Sequence, residues 1–521
     1  MKKYITLLLH LIIAVSALNS CYKDKGNYDY IALDKVVVDT SNRGIKEIYS
    51  IERYDTLQIQ PKLIINDQEI INLESIKDKY AFSWSIFQIT TGGTIYSRDT
   101  LSNEFTLDKP ITKGSGTWNL VLTVKNLNTQ VEAYQKFQVE VSEAISDGWI
   151  VLYEKDGYSD VGLIVDERIK LGATRTRVLT DLIKNSNGKS LEGKPVAVLH
   201  SATALNSREV LVASEKNIQA YNHTDFTVLF DYTKLFYNAP INRSISGLTT
   251  NNSRREVIIN NNKIHVANFV LGNALDRSVY FGPSLSGDYG NLAPWNPKFV
   301  AQGYDAVAYD ATNKKFLYSV SGSMMVNNLP NQSLAAEWNP SDVGLDFVAS
   351  DYGFPNTPLA NEYMIMRNSS NTYLLTANFA SPVASAIAQK KYDMTSLPES
   401  NHINTMAASS TGAYIVYGAS NNLYAYRYQI NNVGKVWSAP NGEEITSVKF
   451  LKFYHTAVNM VKLTPLGVNQ YIYISTYNQT TKEGKVYNLK IDITNGTITS
   501  NTQKEYSGFG KIVDMGYKWN L

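Results

Sequence analysis

Between residue 31 and about residue 144, apolar and polar positions alternate over short runs. Clear cases are Asp34–Asp39 (DKVVVD), Thr56–Ile65 (TLQIQPKLII), Tyr80–Gln88 (YAFSWSIFQ), Trp118–Lys125 (WNLVLTVK) and Tyr134–Val141 (YQKFQVEV). A period of two, broken by turn-rich pieces and never replaced by a helical period, predicts strands. About seven strands in about 110 residues predict an Ig-like β-sandwich. Trp84 shares a face with Phe82 and Ile86 and is expected to fill the space between its sheets.

From residue 145 to 521 the pattern becomes a repeat. REVLVASEKNIQAYN (Arg208–Asn222) and REVIINNNKIHVANF (Arg255–Phe269) each join an apolar strand to a second strand through a polar turn. The motif returns in Trp149–Val165, Lys315–Asn327, Thr372–Phe379, Ala413–Tyr428 and Gln470–Ile491. The apolar cores start near Val151, Val210, Val257, Phe316, Tyr373, Ile415 and Ile472, at unequal steps. Seven hairpins at this spacing predict a β-propeller of about seven blades, with six or eight left open by the unequal steps. An open solenoid is the alternative, disfavoured by the lack of a polar capping repeat. KIVDMGYKW (Lys511–Trp519) follows the seventh hairpin and is expected to pair with the first blade. The whole chain is therefore expected to be all-β, a sandwich (31–144) followed by a propeller (145–521).

Residues 1–20 read MKKYITLLLHLIIAVSALNS: two lysines, an apolar run too short to span a bilayer comfortably, then small and polar residues. The chain's single cysteine, Cys21, follows Leu18-Asn19-Ser20, a string that resembles a bacterial lipobox. That reading makes residues 1–20 a lipoprotein signal peptide, Cys21 the lipidation site and residues 21–30 a polar tether. Several acyl chains at about 0.8 kcal/mol per buried methylene would then hold the protein to a membrane.

CYKDKGNYDY (Cys21–Tyr30) is similar to the mature start of the PKD-like lipoprotein family of Bacteroidota. YAFSWSIF resembles the Trp-bearing strand of PKD domains, and GTWNLVLTVKN their later strand. The resemblance implies a PKD-like first domain acting as a spacer. It also implies an outer-membrane, cell-surface lipoprotein that works beside a SusC/SusD-like nutrient importer. Asp24 between Lys23 and Lys25 makes a weak export signal, so the periplasm-facing orientation stays open.

Charge narrows the partners. The 49 Lys+Arg against 47 Asp+Glu become equal once Lys2 and Lys3 leave with the signal, so nothing favours nucleic acid. No nucleophile elbow, zinc-protease or phosphate-loop motif occurs. His200, His223, His265, His402 and His455 lack metal-ligand spacing and are expected on the surface or on strands. No metal site and no cofactor are expected. Asp156–Asp160 reads as a hairpin loop.

The longest connections, between Phe269 and Phe316 and between Val326 and Tyr373, carry Tyr289, Trp295, Trp338 and Tyr352 among Asn, Asp and Pro. These are the ligand-binding candidates, since flat rings stack on sugar faces or peptide side chains. The competing reading has both Trp-Asn-Pro segments pinning their own loops. The functional expectation is a non-enzymatic binding component for glycan or peptide. A propeller glycoside hydrolase or lyase and a ligand-free docking protein are the alternatives. Glycosidase acids come from separate blades and leave no local motif.

Overall fold

The computed structural model describes residues 32–519 except 42–43, 89–96, 143–144, 146, 171–175, 201–208, 254, 269–279, 333–334, 355–360, 382 and 453–466. Cys21, its lipobox and His455 lie outside the described residues. The protein is all-β. Its longest helix among the described residues is Leu182–Asn187, and none is long and apolar enough to cross a membrane. The chain divides into two compact units, one of residues 1–51, 56–110 and 116–141, the other of 52–55, 111–115 and 142–521.

In the first unit a five-stranded antiparallel sheet runs Ile48–Glu52, Glu132–Ser142, Gly116–Asn126, Tyr80–Phe87, Asp99–Ser102. Val36–Asp39, Lys62–Ile65 and Gln68–Glu69 make a second sheet, and Thr56–Ile59 pairs with Leu107–Pro110. The alternation seen in the sequence places Leu120, Leu122 and Val124 inside, where they are buried. Trp84 is fully buried, stacks on Phe137 at 5.6 Å, and donates its indole N–H to the Phe105 carbonyl at 3.1 Å. That hydrogen bond satisfies the one polar atom that burying a tryptophan brings with it.

Among the described residues the second unit is a run of seven antiparallel sheets. The second to seventh open on Pro195–His200, Ile245–Thr250, Tyr304–Asp310, Asp346–Gly353, Ile403–Ala408 and Glu443–Phe450, and each continues through its next two or three strands. The first differs. Its order is Arg177–Leu179, Tyr158–Val165, Gly148–Lys155, Lys511–Lys518, so the end of the chain supplies the edge that the opening strand supplies elsewhere. The register runs from Gly148 opposite Lys518 to Glu154 opposite Lys511, with a bulge at Leu152/Tyr153.

The inner strands of these sheets are buried on both faces, which is why they read as continuous apolar runs such as VLVA and VII. Seven hydrophobic clusters join neighbours in sequence order, and the last joins the seventh sheet to the first. In that last cluster Trp149 stacks on Tyr473 at 4.0 Å, beside Val486, Phe509, Ile512 and Met515. The many tyrosines serve here: Tyr153, Tyr221, Tyr309, Tyr417 and Tyr473 are fully buried between sheets.

The hairpins read from sequence fall on the second and third strands of six of the described sheets, as in Glu209–Ser214 with Ile218–Asn222. The fifth is different. Thr372–Ala377 is its third strand, and the matching second strand is Asn361–Arg367, which the sequence reading passed over. The uneven spacing around Tyr373 comes from that slip.

Gly510 marks the passage from the seventh sheet into the first. A Cβ there would stand 1.9 Å from the Glu154 carbonyl oxygen, and one on Gly484 would stand 1.8 Å from the Gly510 carbonyl oxygen. Backbones this close admit only glycine. Gly510→Ala, or removal of residues 511–521, is therefore expected to lower the melting temperature of the second unit and expose an unpaired strand edge that aggregates. Calorimetry and light scattering read this out; melting unchanged from the parent would contradict closure through the last strand.

Candidate functional site

The opening strands of the second, third, fifth, sixth and seventh sheets converge on one cavity of about 450 Å³, together with Val513 and Asp514 of the last strand. The segment Pro294–Lys298, just before the fourth sheet, completes the wall. A strand buried on both faces leaves its edge and end residues as the places where polar side chains reach water, and these opening strands carry them: Ser350, Asp351, Asn404, Thr405, Thr446, Ser447 and Lys449.

Charge is concentrated here. The Lys452 ammonium pairs with Asp351, reaches the Tyr352 carbonyl, and lies 4.3 Å over the Tyr352 ring. Asp351 also accepts the Ala408 N–H at 3.0 Å, which ties the fifth sheet to the sixth. Lys449 lies 3.3 Å from Asp514, and the Asp514 carboxylate accepts the Val198 N–H at 3.1 Å. That carboxylate holds the Lys449 ammonium above its usual range. Lys452 moves the other way, because burial disfavours its charge more than Asp351 restores it.

Two groups are displaced toward neutrality. Burial pushes the Glu362 carboxyl up to about 8, although the Trp295 indole N–H donates to its Oε1 at 2.9 Å and favours the anion. Burial brings the Lys298 ammonium down to about 8. Asn296 is 9 % exposed, and its Oδ1 has no hydrogen-bond partner among the described residues. The cavity thus offers an unused acceptor, a protonated carboxyl at neutral pH and paired ammonium groups.

Of the four sequence candidates, Trp295 and Tyr352 line this cavity; Tyr289 and Trp338 do not. For the two tryptophans the structure agrees with the competing reading, in which the Trp-Asn-Pro segments pin their own loops. Trp295 and Trp338 are 8 % and 7 % exposed and belong to one hydrophobic cluster between the fourth and fifth sheets. Trp295 packs 5.6 Å from Phe316, Phe347 and Phe379, and Trp338 packs 5.9 Å from Phe316. The segments return to the sheets because an indole gains more from that core than from water. Tyr289 is half-buried, its hydroxyl donated to the Leu285 carbonyl at 2.7 Å, with Lys263 over its ring. Tyr352 is not in a loop; it belongs to the strand Asp346–Gly353.

Sequence reasoning missed Asn296, Lys298, Glu362, Lys449, Lys452 and Asp514. For Glu362, Lys449 and Asp514 the signal was a lone charge inside a largely apolar strand, as in NEYMIM; Asn296 and Lys298, in the connection WNPK, and Lys452, just past a strand, carry no such signal. Among the histidines, His200 and His265 lie on strands, as expected, and are buried there; His223 is buried in a turn, and His200 stacks on Trp519 at 3.8 Å. Among the described residues no group of three or more His, Cys, Asp or Glu side chains is placed to hold a metal ion. Asp160 of the Asp156–Asp160 hairpin is buried and accepts the N–H of Ile183 and Lys184 and the Ser190 hydroxyl, a structural use.

Residues 21–195 match the model of the PKD-like family, a match that runs past the first unit through the paired strands Gly148–Lys155 and Tyr158–Val165. No curated protein matches the chain. Among solved structures, the chain is similar to a quinoprotein alcohol dehydrogenase-like protein from Bacteroides thetaiotaomicron, with 14% identity and TM-score 0.47 over 93% of this chain and 99% of the other. A dihydro-heme d1 dehydrogenase gives 10% identity and TM-score 0.38 over 76% and 72%. The WD40 domain of SCAP from fission yeast gives 9% and 0.36 over 61% and 74%.

Two outcomes are expected. Trp295→Ala and Trp338→Ala should each cost roughly 3–5 kcal/mol of stability, read by denaturant unfolding, because each empties a packed cluster; variants that unfold like the parent would place these rings outside the core. Glu362 carries a pH signature. Its folded pKa of about 8 lies above the ordinary 4.5, so the folded state holds the proton more tightly. The stability this contributes is present below pH 4.5 and is lost as pH rises through about 8. Glu362→Gln should therefore melt like the parent in acid and above it in alkali; parallel melting curves across that range would show an ionised, solvated Glu362.

Proposed function

We propose that the second unit is a seven-bladed β-propeller whose central cavity binds a polar ligand, glycan or peptide. It is carried on a lipid-anchored outer-membrane protein that serves a SusC/SusD-like importer, with the PKD-like first unit as spacer. The observation that carries the binding role is Asn296. A buried amide oxygen without a partner, in the wall of a cavity rich in hydroxyls, amides and paired charges, has hydrogen bonds that something else must complete. The lipobox before Cys21 supports the anchor, and the match of residues 21–195 to the PKD-like family supports the spacer.

A propeller hydrolase or lyase is the second reading, favoured by one feature. A carboxyl kept protonated near neutral pH inside a cavity is what a general acid requires, and Glu362 is such a group.

The full-length protein in detergent, titrated calorimetrically with glycan and peptide panels, tests the binding role. At least one ligand should bind, and Asn296→Ala and Lys449→Gln should each weaken it by about tenfold. Turnover of a bound glycan that Glu362→Gln abolishes would favour the hydrolase or lyase. Cys21→Ala should release the chain from outer-membrane fractions, and pull-down of the wild-type protein should recover the importer. A panel with no binder, or a binder indifferent to both cavity variants, would reject the cavity as the site.

A further inference from the structure

A second cavity, of about 670 Å³, lies between the outer parts of the first and second sheets of the same unit. It is larger than the central one and falls within the usual range for ligand pockets, roughly 300–1,000 Å³. None of the aromatic candidates chosen from sequence lines it. Tyr158 does, and it is 50% exposed. A half-exposed tyrosine ring on a cavity wall is a ready platform for stacking.

The polar groups around Tyr158 are positioned rather than loose. Asp181 sits in the left-handed region at φ 53°, an uncommon conformation for a residue with a side chain. Tyr153 fixes it there: its hydroxyl accepts the Asp181 N–H at 2.7 Å and donates to Oδ1 at 3.0 Å. The second oxygen, Oδ2, has Lys155 at 3.6 Å as its partner among the described residues. Gln219 accepts the Tyr221 hydroxyl on Oε1 at 2.6 Å, which orients its amide and leaves the NH₂ as a donor. Asn217 adds a buried Oδ1 with no hydrogen-bond partner among the described residues. Backbone held in a sparsely populated conformation beside unmatched polar atoms is characteristic of binding sites.

We infer that this cleft is a second ligand site, taking a neutral oligosaccharide with one sugar ring stacked on Tyr158 and its hydroxyls shared among Asp181, Asn217 and Gln219. The charge of the wall fits an uncharged ligand, since Lys155, Lys184 and Lys189 face Asp156, Asp181 and Glu192 in equal number. A peptide cannot add as a strand to either Tyr158–Val165 or Ile218–Asn222, whose two edges are already paired. Tyr158–Val165 is bonded on one side to Gly148–Lys155 and on the other to Arg177–Leu179 and Leu191–Glu192, and Ile218–Asn222 is bonded to Val228–Phe230.

The test is calorimetric titration of the full-length protein in detergent with linear hexaoses of glucose, mannose and galactose. At least one should bind at micromolar to millimolar concentration. Tyr158→Ala should weaken that binding by about tenfold or more while leaving the melting temperature unchanged, because the ring is half in water. Asp181→Asn, which keeps the left-handed backbone accessible, should weaken it as well. Asn296→Ala, in the central cavity, should leave it intact. The cleft is rejected if none of the three hexaoses binds, if Tyr158→Ala binds like the parent, or if Asn296→Ala abolishes the binding instead.

Discussion

Everything in the second unit depends on a sheet that cannot be left with an open face. The inner strands of its seven sheets are buried on both sides, so each sheet needs two neighbours, and a linear stack would strand one face at either end. The chain resolves this by returning Lys511–Lys518 to Gly148–Lys155, which places the last segment in the first sheet and brings Tyr473 and Phe509 against Trp149 and Tyr153. The contact is made by residues more than 300 positions apart, so its loop-closure entropy is met only once the intervening sheets are in place. Cooperativity of the whole unit follows from that single pairing.

The same pairing builds the cavity. Asp514 belongs to the returning strand, yet it accepts a hydrogen bond from Val198 of the second sheet and faces Lys449 of the seventh. Three sheets thus meet through one carboxylate. Removing charges from water costs several kcal/mol per ion unless partners compensate, and replacing such pairs by apolar side chains is often neutral or better for stability. A chain needing only a closed stack would gain little from Lys449, Lys452, Asp351 and Glu362 at its centre. Their presence fits the proposed binding role better than a purely structural one.

How much was legible in the sequence follows from which positions repeat. In most of these sheets the second strand and the one it turns into are largely buried and joined by a tight polar turn, so EVLVAS…IQAYN and REVIIN…KIHVAN announce themselves. The opening strands have no such signature: each mixes apolar residues with one or two polar ones, and its partners come from distant parts of the chain. Lys449 sits on such an opening strand, Asp514 on the returning last strand, and Glu362 is a lone charge at the start of the apolar strand Asn361–Arg367, which is why they went unnoticed while Trp295 and Trp338 stood out. The tryptophans misled for a physical reason. An aromatic residue amid Asn and Pro looks exposed in a linear string, but both rings fold back into the cluster around Phe316. Tyr352 was found for the wrong reason, as a loop residue, although a strand places it. Tyr158 was quoted only as part of a hairpin turn.

Glu362 connects the energetics to the chemistry. Trp295 occupies its Oε1 from the core side. A protonated carboxyl then has a single O–H to donate, and an ionised one would have only acceptors. With its pKa near 8, the group is mainly a donor at neutral pH. Asn296 Oδ1, in the same wall, is an acceptor without a partner. A ligand group that accepts from one and donates to the other is a hydroxyl or an amide, not a carboxylate, which cannot donate to Asn296, and not an ammonium, which cannot accept from Glu362. In the proposed binding role, the burial that makes Glu362 costly to the fold would also restrict the ligand chemistry that the cavity accepts.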